Sequence, residues 1–404
     1  MSSTEQIHRE STRNWPLLAL GLGAFGIGTT EFAPMGLLPD IATGIDVSIP
    51  VAGSVVTAYA IGVMISAPLV TLLLSRYTRR TALVLLMGIF IIGNLLSALA
   101  PGYASLVVAR VLTSLSQGAF FGIGAVVATL VVPEDKQASA VATMFMGLSI
   151  ANIVGVPSAS WLGQSVGWRL AFGAIVLLGL FALFALMAAL PKGQAAQETN
   201  VRRELRALLN WQMLIAMGVT ISFAAAFFTL YTYVAPFLQM NTETAGSFIT
   251  MALVCIGVGL TLGNWLGGKL ADWSLDGATI IGLGSLAITM LVIPTVIDTR
   301  AGAAISLMLW AIAAFISVPA LQIRAMRAAT GAASLAAAIN IAGFNFGNAI
   351  GASVGAGVIG SGLGYAAVSV AGGLLAVLGV FLLFLGRYSR NRLLTPALDC
   401  DDYV

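Results

Sequence analysis

Apolar residues along this chain run in twelve long blocks, parted by short polar or glycine- and proline-rich breaks: 15–38, 50–74, 81–100, 104–131, 138–163, 170–190, 211–238, 246–268, 278–297, 302–322, 332–359 and 365–386. Each block holds about twenty mainly apolar residues, the length needed to cross a bilayer as a helix. Two of the breaks carry no charge. Ala100-Pro101-Gly102 parts the third block from the fourth, and Gly360-Ser361-Gly362-Leu363-Gly364 parts the eleventh from the twelfth, both by turn chemistry. The pattern predicts an all-α polytopic membrane protein with twelve transmembrane helices.

Composition agrees, with 59% apolar and 9% charged residues against about 25% charged in a soluble domain. Loop charge gives an orientation. Sixteen Lys and Arg residues, among them Arg9, Arg76, Arg79, Arg80, Lys136, Arg324 and Arg387, fall on one side, and only Arg169 and Arg300 fall on the other. The excess marks the cytoplasmic side and places both termini there. The basic residues are scattered in short loops and form no groove-sized patch, which argues against nucleic-acid binding despite a net charge of +3. Two cysteines, Cys255 and Cys400, suggest no disulfide framework. The polar start leads into the first block without a small-residue cleavage site, so that block reads as a retained helix.

The longest polar stretch, Pro191 to Asn210, divides the chain six plus six. The expected organisation is a cytoplasmic tail (1–14), a six-helix half (15–190), a cytoplasmic linker (191–210), a second half (211–386) and a cytoplasmic tail (387–404). Three echoes suggest two six-helix pseudo-repeats: Phe32-Ala33-Pro34 with Val234-Ala235-Pro236, Asn152-x-x-Gly155 with Asn348-x-x-Gly351, and Gly167-Trp168 with Gly364-Tyr365.

Candidate chemistry centres on Thr30-Glu31-Phe32. Of sixteen acidic residues, Glu31 alone lies inside a segment placed in lipid. A carboxylate there costs roughly 3 kcal/mol, so such residues usually face a cavity and work. Arg110 in the fourth segment is the comparable base. At 1.5 Å rise per residue, both lie about 10 Å below the same surface, so contact is possible if their helices are neighbours. One reading is a static ion pair that locks two helices. The other is a protonation switch, because burial favours the neutral acid and a nearby guanidinium favours the carboxylate. Pro34 leaves the Thr30 carbonyl without its helical donor and bends the segment beside the acid.

Arg110, Ser114 and Gln117 share one helical face. Small residues in Gly147-Leu-Ser-Ile-Ala-Asn152-Ile-Val-Gly155-Val-Pro157 allow close helix approach, and Pro157 permits a kink at Ile153. Met35, Phe120, Phe121, Met144, Phe145 and Met146 could form a soft apolar wall, faced by Tyr231, Tyr233, Asn340, Phe344 and Asn345, with packing as the plainer alternative for each. The site candidates drawn from these groups are Met35, Ser114, Gln117, Phe121, Asn152, Tyr231, Tyr233, Asn340 and Asn345 for a substrate cavity.

Twelve spans, a basic central loop and related halves resemble the major facilitator superfamily, in which parallel half-repeats flank a midplane site. The family's Gly-x-Leu-Ala-Asp-Arg-x-Gly-Arg-Arg motif is matched in part by Thr71-Leu-Leu-Leu-Ser75-Arg76-Tyr77-Thr78-Arg79-Arg80, which keeps the arginines and lacks the aspartate. The second half keeps Gly268-Lys269-Leu270-Ala271-Asp272. The resemblance implies that Asp272 helps latch the cytoplasmic side, that Arg76, Arg79 and Arg80 take part or only set topology, and that Ser75 weakens the first-half latch. Arg110 to Gly118 resembles the Arg-x-x-Gln-Gly motif with longer spacing, and Gly155-Val156-Pro157 the antiporter motif. The run Phe25 to Pro39 resembles twelve-span drug:proton antiporters, the group of arabinose- and chloramphenicol-efflux-like permeases, and within it the YdhP-type bacterial inner-membrane transporters.

The resemblance implies export of a small organic compound (drug-like, sugar or nucleoside-like) in exchange for protons, from a monomer in the bacterial inner membrane. Glu31 and Arg110 would couple protons, with Pro34, Gly155, Pro157 and Asp272 serving conformational change. A facilitator or proton-coupled importer is the alternative on the same fold. Primary ATP-driven transport is disfavoured because no Walker-type phosphate loop occurs. An intramembrane enzyme is disfavoured because His8, in the tail, is the only histidine. A receptor role would not need Glu31. The expected partners are a small molecule, protons and lipid; no cofactor or metal is expected.

Overall fold

The structure is a computed structural model that describes residues 3–47, 49–190, 206–234, 237–238, 246–329 and 331–394. Linker positions 191–205, with Lys192, Arg202 and Arg203, lie outside the described residues, as do Ala235, Pro236 and the tail from 395 onward. Among the described residues all regular structure is helical, and twelve helices are long and apolar enough to cross a membrane. They are α1 (Ser3–Gly44), α2 (Ile49–Leu74), α3 (Arg79–Ala98), α4 (Tyr103–Leu130), α5, α6 (Trp168–Ala189), α7 (Trp211–Tyr231), α8 (Gly246–Trp273), α9 (Leu275–Val296), α10 (Arg300–Ala328), α11 (Ala333–Gly360) and α12 (Gly364–Leu394). Helix α5 is α-helical over Gln137–Ile150 and Val156–Val166, with a π-helical stretch, Ala151–Gly155, between them.

Several helix starts carry the side-chain caps their sequences offer. Thr78, Asn210, Ser274 and Thr299 accept from the backbone N–H three residues on, at the starts of α3, α7, α9 and α10. Two short junctions need glycine, one of a single residue (167) and one of three (361–363). Gly167, before α6, has φ +103°, and Gly364, the first residue of α12, has φ +77°. These are the glycines of the Gly-Trp/Gly-Tyr echo.

The two halves repeat the same packing. In the first, α1 packs on α5 and α6, α4 on α2 and α3, and α3 on α6. In the second, α7 packs on α11 and α12, α10 on α8 and α9, and α9 on α12. Small residues make these approaches possible, as they do wherever lipid offers no hydrophobic drive for helix association. A Cβ on Gly259, Gly263 or Gly267 of α8 would strike the α10 backbone at Met308, Ile312 and Ile316. Gly347, Gly351 and Gly355 play the same part against α7.

The halves meet through α2 with α11 and α5 with α8, and also through α4 with α11 and α5 with α10, pairs that the repeat interchanges. Gly268 of α8 lies against Ser139 and Ala142, Asn264 donates to the Ala142 carbonyl (2.5 Å), and Gly122 of α4 lies against Ala338 and the Ser334 carbonyl. All of these lie toward the end of the bundle that carries the α4–α5 and α8–α9 connections. That end is sealed.

Candidate functional site

The centre of the first half is built on α1. Thr30 and Glu31 are consecutive, so they point to different sides of the helix. Thr30 faces α3 and α4, where its hydroxyl donates to Asn94 Oδ1 (2.5 Å). Arg110 of α4 is fully buried, and its guanidinium donates to Thr30 Oγ1 (3.0 Å) and to the Thr30 carbonyl (2.9 Å). That carbonyl is the one Pro34 leaves without a helical donor, so a tertiary donor replaces the missing backbone one. The guanidinium also lies over the rings of Tyr59 (4.2 Å to the centroid) and Phe172 (5.8 Å).

Glu31 faces the other way. Its Oε2 accepts from Gln117 Nε2 at 2.9 Å. Among the described residues it forms no ion pair, and Arg110 has none either. The direct Glu31–Arg110 contact considered from their matching depths is therefore not made: the guanidinium spends its hydrogen bonds on Thr30. Gln117, two turns along α4 from Arg110, takes the carboxylate instead.

Glu31 and Gln117 open into a cavity of about 90 Å³ between the halves. The first half contributes Phe32, Phe121, Phe145, Leu148 and Asn152 to its wall, and the second half Phe227, Phe228, Tyr231, Leu260, Phe315, Val318, Ile341, Phe344, Asn345 and Asn348. Asn152 and Asn348, partners in the sequence echo, both line it. Phe121 stacks on Phe145 (5.0 Å), and Phe227 stacks on Tyr231 (5.1 Å) and on buried Trp310 (4.7 Å).

Of the residues the sequence proposed for the cavity, the structure brings Gln117, Phe121, Asn152, Tyr231 and Asn345 together with Glu31. Four do not line it. Met35 is exposed near the far end of α1. Ser114 is buried against Gly62 of α2 and donates to the Val111 carbonyl. Tyr233 donates to the Ala352 carbonyl (2.9 Å) beside Gly355. Asn340 is locked in a buried trio, accepting from Thr220 and donating to Gln322 (2.7 Å each). Helical periodicity alone could not separate these from cavity positions. Sequence reasoning also passed over Asn94, Tyr59 and the Phe227–Phe228–Phe315 cluster. Asn94, an amide inside an apolar segment, was the one with a legible signal.

The conformational candidates are also placed. Gly155 closes the π-helical stretch and packs on Thr29 of α1. Pro157 lies two residues on, so the π-helical shift of bonding register falls directly before the proline. Asp272 caps the start of α5, accepting from the N–H of Ala138 (2.7 Å) and Ser139 (3.1 Å) across the seam between the halves. Nearby Asp276 binds Arg324 (2.5 Å) and Arg387 (2.8 Å). Arg80 donates to the Met187 carbonyl at the end of α6 (2.5 Å), Arg76 lies over the Tyr77 ring, and Arg79 opens α3.

The sequence profile of the Major Facilitator Superfamily matches residues 20–342. The chain belongs to that superfamily. It is 54% identical to the inner membrane transport protein YdhP of Escherichia coli K12, over 92% of this chain and 96% of that one. It is 34% identical to a chloramphenicol resistance protein of Streptomyces lividans, over 64% and 67% of the two chains. The fold matches the crystal structure of FucP in the outward conformation, with TM-score 0.76 at 13% identity, covering 93% of this chain and 99% of that one. The protein is thus a membrane-embedded transporter and not an enzyme.

Proposed function

We propose that this transporter exports a small organic compound in exchange for protons, with Glu31 as the proton-carrying group. One observation carries the reading. Among the described residues, the cavity between the halves has a single charged residue, Glu31, and the buried guanidinium, that of Arg110, is committed to Thr30. A carboxylate facing a cavity without a fixed counter-ion is free to change protonation state. With Glu31 ionised, the Gln117 amide donates to it. With Glu31 protonated, the acid becomes a donor and the Gln117 amide can turn its oxygen to accept. The change of charge alters what the cavity can hold, which is the requirement for exchange.

The similarity to a chloramphenicol resistance protein supports export, and that to YdhP supports a bacterial inner membrane. The excess of basic residues in the loops on one side supports a cytoplasmic location for both termini and, with them, for the end where α5 meets α8. The seam of α5 with α8, held by Asp272 and Asn264, is then the cytoplasmic gate, and Pro34 and the π-helical stretch lie where α1 and α5 border the cavity.

The test is transport in proteoliposomes under an imposed pH gradient. Glu31→Gln should abolish gradient-driven movement of a cargo compound and the proton release that accompanies its binding, while binding itself persists. Gradient-independent uptake of that compound by the unaltered protein would replace antiport with facilitation.

A further inference from the structure

A second and larger cavity, of about 750 Å³, lies at the end of the bundle where α5 meets α8. Three arginines of the second half line it: Arg324 and Arg327 near the end of α10, and Arg387 on α12. Two of them share one carboxylate. Asp276 of α9 accepts from Arg324 Nη2 (2.5 Å) and from Arg387 Nε (2.8 Å). The other acid on this wall, Asp272, is committed to the N–H groups of Ala138 and Ser139, and the third, Glu134, is exposed on the α5 side. Among the described residues Arg327 has no hydrogen bond or ion pair, and Nη1 and Nη2 of Arg387 have no acceptor. A guanidinium carries five N–H donors and no acceptor. The second-half wall therefore holds more cationic donors than its two carboxylates take up.

The lining changes character along the helix axes. On α7 it passes from Trp211 and Gln212 to Ile215, and on α12 from Arg387 to Leu383, each step about one turn toward the middle of the bundle. On α10 Ile323, beside the arginines, is buried. Donors at the outer end over an apolar floor suit an amphiphile, with an anion above and hydrocarbon below. Two tryptophans flank the outer end. Trp211, which opens α7, is half-exposed, and Trp273, which closes α8, is 82% exposed. Exposed tryptophans at the ends of membrane helices sit at headgroup level. The arginines therefore lie where a lipid phosphate can reach them.

We propose that this cavity holds the headgroup phosphate of an anionic phospholipid, bound by Arg327 and by the free Nη pair of Arg387. The planar fork of arginine donates two parallel N–H bonds to a phosphate, a match that a lysine ammonium does not offer. Arg324 acts one step back, because the carboxylate it shares with Arg387 holds that fork in place. An acyl chain would run down over Leu383 and Ile215. Phosphatidylcholine has the same phosphate but brings a quaternary ammonium to a wall of arginines, and a soluble phosphate ester would leave the apolar floor uncovered. The volume is within the range of about 300–1,000 Å³ usual for ligand sites. The site shares no lining residue with the cavity that holds Glu31, so the proposal does not depend on the antiport reading.

The test uses the full chain purified in a neutral detergent and offered phosphatidylglycerol and phosphatidylcholine with the same acyl chains, with bound lipid counted by native mass spectrometry. Phosphatidylglycerol should be retained about tenfold over phosphatidylcholine, the factor that one charge-assisted hydrogen bond supplies. Arg327→Gln should remove most of that preference. Arg387→Lys, which keeps a cation for Asp276 but not the fork, should reduce it, and Arg300→Gln, at the opposite end of α10, should leave it intact. In the unaltered protein phosphatidylglycerol should raise the heat-unfolding midpoint and glycerol 3-phosphate should not, a readout that needs no variant to fold. Equal retention of the two lipids, or a preference undiminished in a folded protein carrying both Arg327→Gln and Arg387→Lys, would overturn the proposal. A midpoint raised as much by glycerol 3-phosphate would assign the site to a soluble phosphate ester instead. Retention of phosphatidylglycerol that rises when Asp399, Asp401 and Asp402 are all changed to asparagine would make the acidic tail the occupant, and would equally overturn the lipid assignment.

Discussion

Replacing Asp272 by Asn should loosen the sealed end of the molecule. The carboxylate of Asp272, on α8, accepts from the N–H of Ala138 at 2.7 Å and of Ser139 at 3.1 Å, on α5 of the other half. These bonds exist only while the halves are together. A hydrogen bond to a charged group contributes about 1.5–3 kcal/mol against about 0.5–1.5 for a neutral one, and a negative charge at a helix start adds about 0.3–1. Asparagine keeps one acceptor and loses the charge, so the sealed state should lose about 2 kcal/mol, close to thirtyfold in the equilibrium between sealed and open. Spin labels at Glu134→Cys and Arg327→Cys, one on each half, would report it in a background with Cys255 and Cys400 changed to serine. Their distance distribution should shift toward a longer, more populated separation. An unchanged distribution in the Asp272→Asn protein would refute the cap as a latch.

Two further predictions concern the centre and the orientation. Thr30→Val should lower the heat-unfolding midpoint in detergent more than Glu31→Gln does. The first takes the hydroxyl partner from Arg110 Nη1 and Asn94 Oδ1 while the Thr30 carbonyl bond stays, at about 1–3 kcal/mol for a buried unpaired group, while the second leaves an acceptor for Gln117; the reverse order would restore Glu31 as the anchor of Arg110. In a cysteine-free background, cysteines at Ser48 and Ser361 should react with impermeant maleimide from the periplasm and one at Ser389 should not, and labelling of all three from one side would defeat the twelve-span topology.

Much of the fold was legible because lipid imposes a strict length and polarity on every span, so boundaries could be read within a few residues. The helices overrun some blocks: α1 spans Ser3–Gly44 against 15–38, α12 reaches Leu394 against 386, and α10 continues to Ala328 where its block ends at 322. Arg324 and Arg327 are basic yet helical, and Arg324 is tied to Asp276. The site was legible where a residue was anomalous for its setting. Glu31 stood out by its cost, and the Thr30 carbonyl by its relation to Pro34. What could not be read was the partner of each polar group. Arg110 could satisfy its guanidinium with a carboxylate or with a carbonyl and two ring faces, and only the rotation of α1 against α4 decides. The same limit applies to Asn340, an amide that served equally well in sequence as cavity wall or as buried strut.

The two seams that seal the molecule are related by the repeat but not by chemistry, and a last prediction follows from the difference. Asp272 of α8 caps α5, whereas Ser75, 197 residues earlier at the end of α2, offers no carboxylate to α11. The start of α11 has Ala332 at its cap position, a residue whose side chain cannot cap the helix. Apolar contact is present on that side: Leu72 packs on the cluster of Ala332, Leu335 and Ala336, one turn before Ser75. Apolar contact contributes in proportion to area, about 25 cal/mol per Å², and is indifferent to charge. The α5–α8 seam should therefore weaken with added salt or with loss of Asp272, while the α2–α11 seam should respond to neither. Ser75→Asp should supply the missing cap, stabilise the sealed state by about 1 kcal/mol and offset much of the Asp272→Asn shift when the two are combined. The same spin-label pair reads the outcome. A double variant as open as Asp272→Asn alone would mean that the start of α11 is out of reach of position 75, and that the two seams do not work as equivalents.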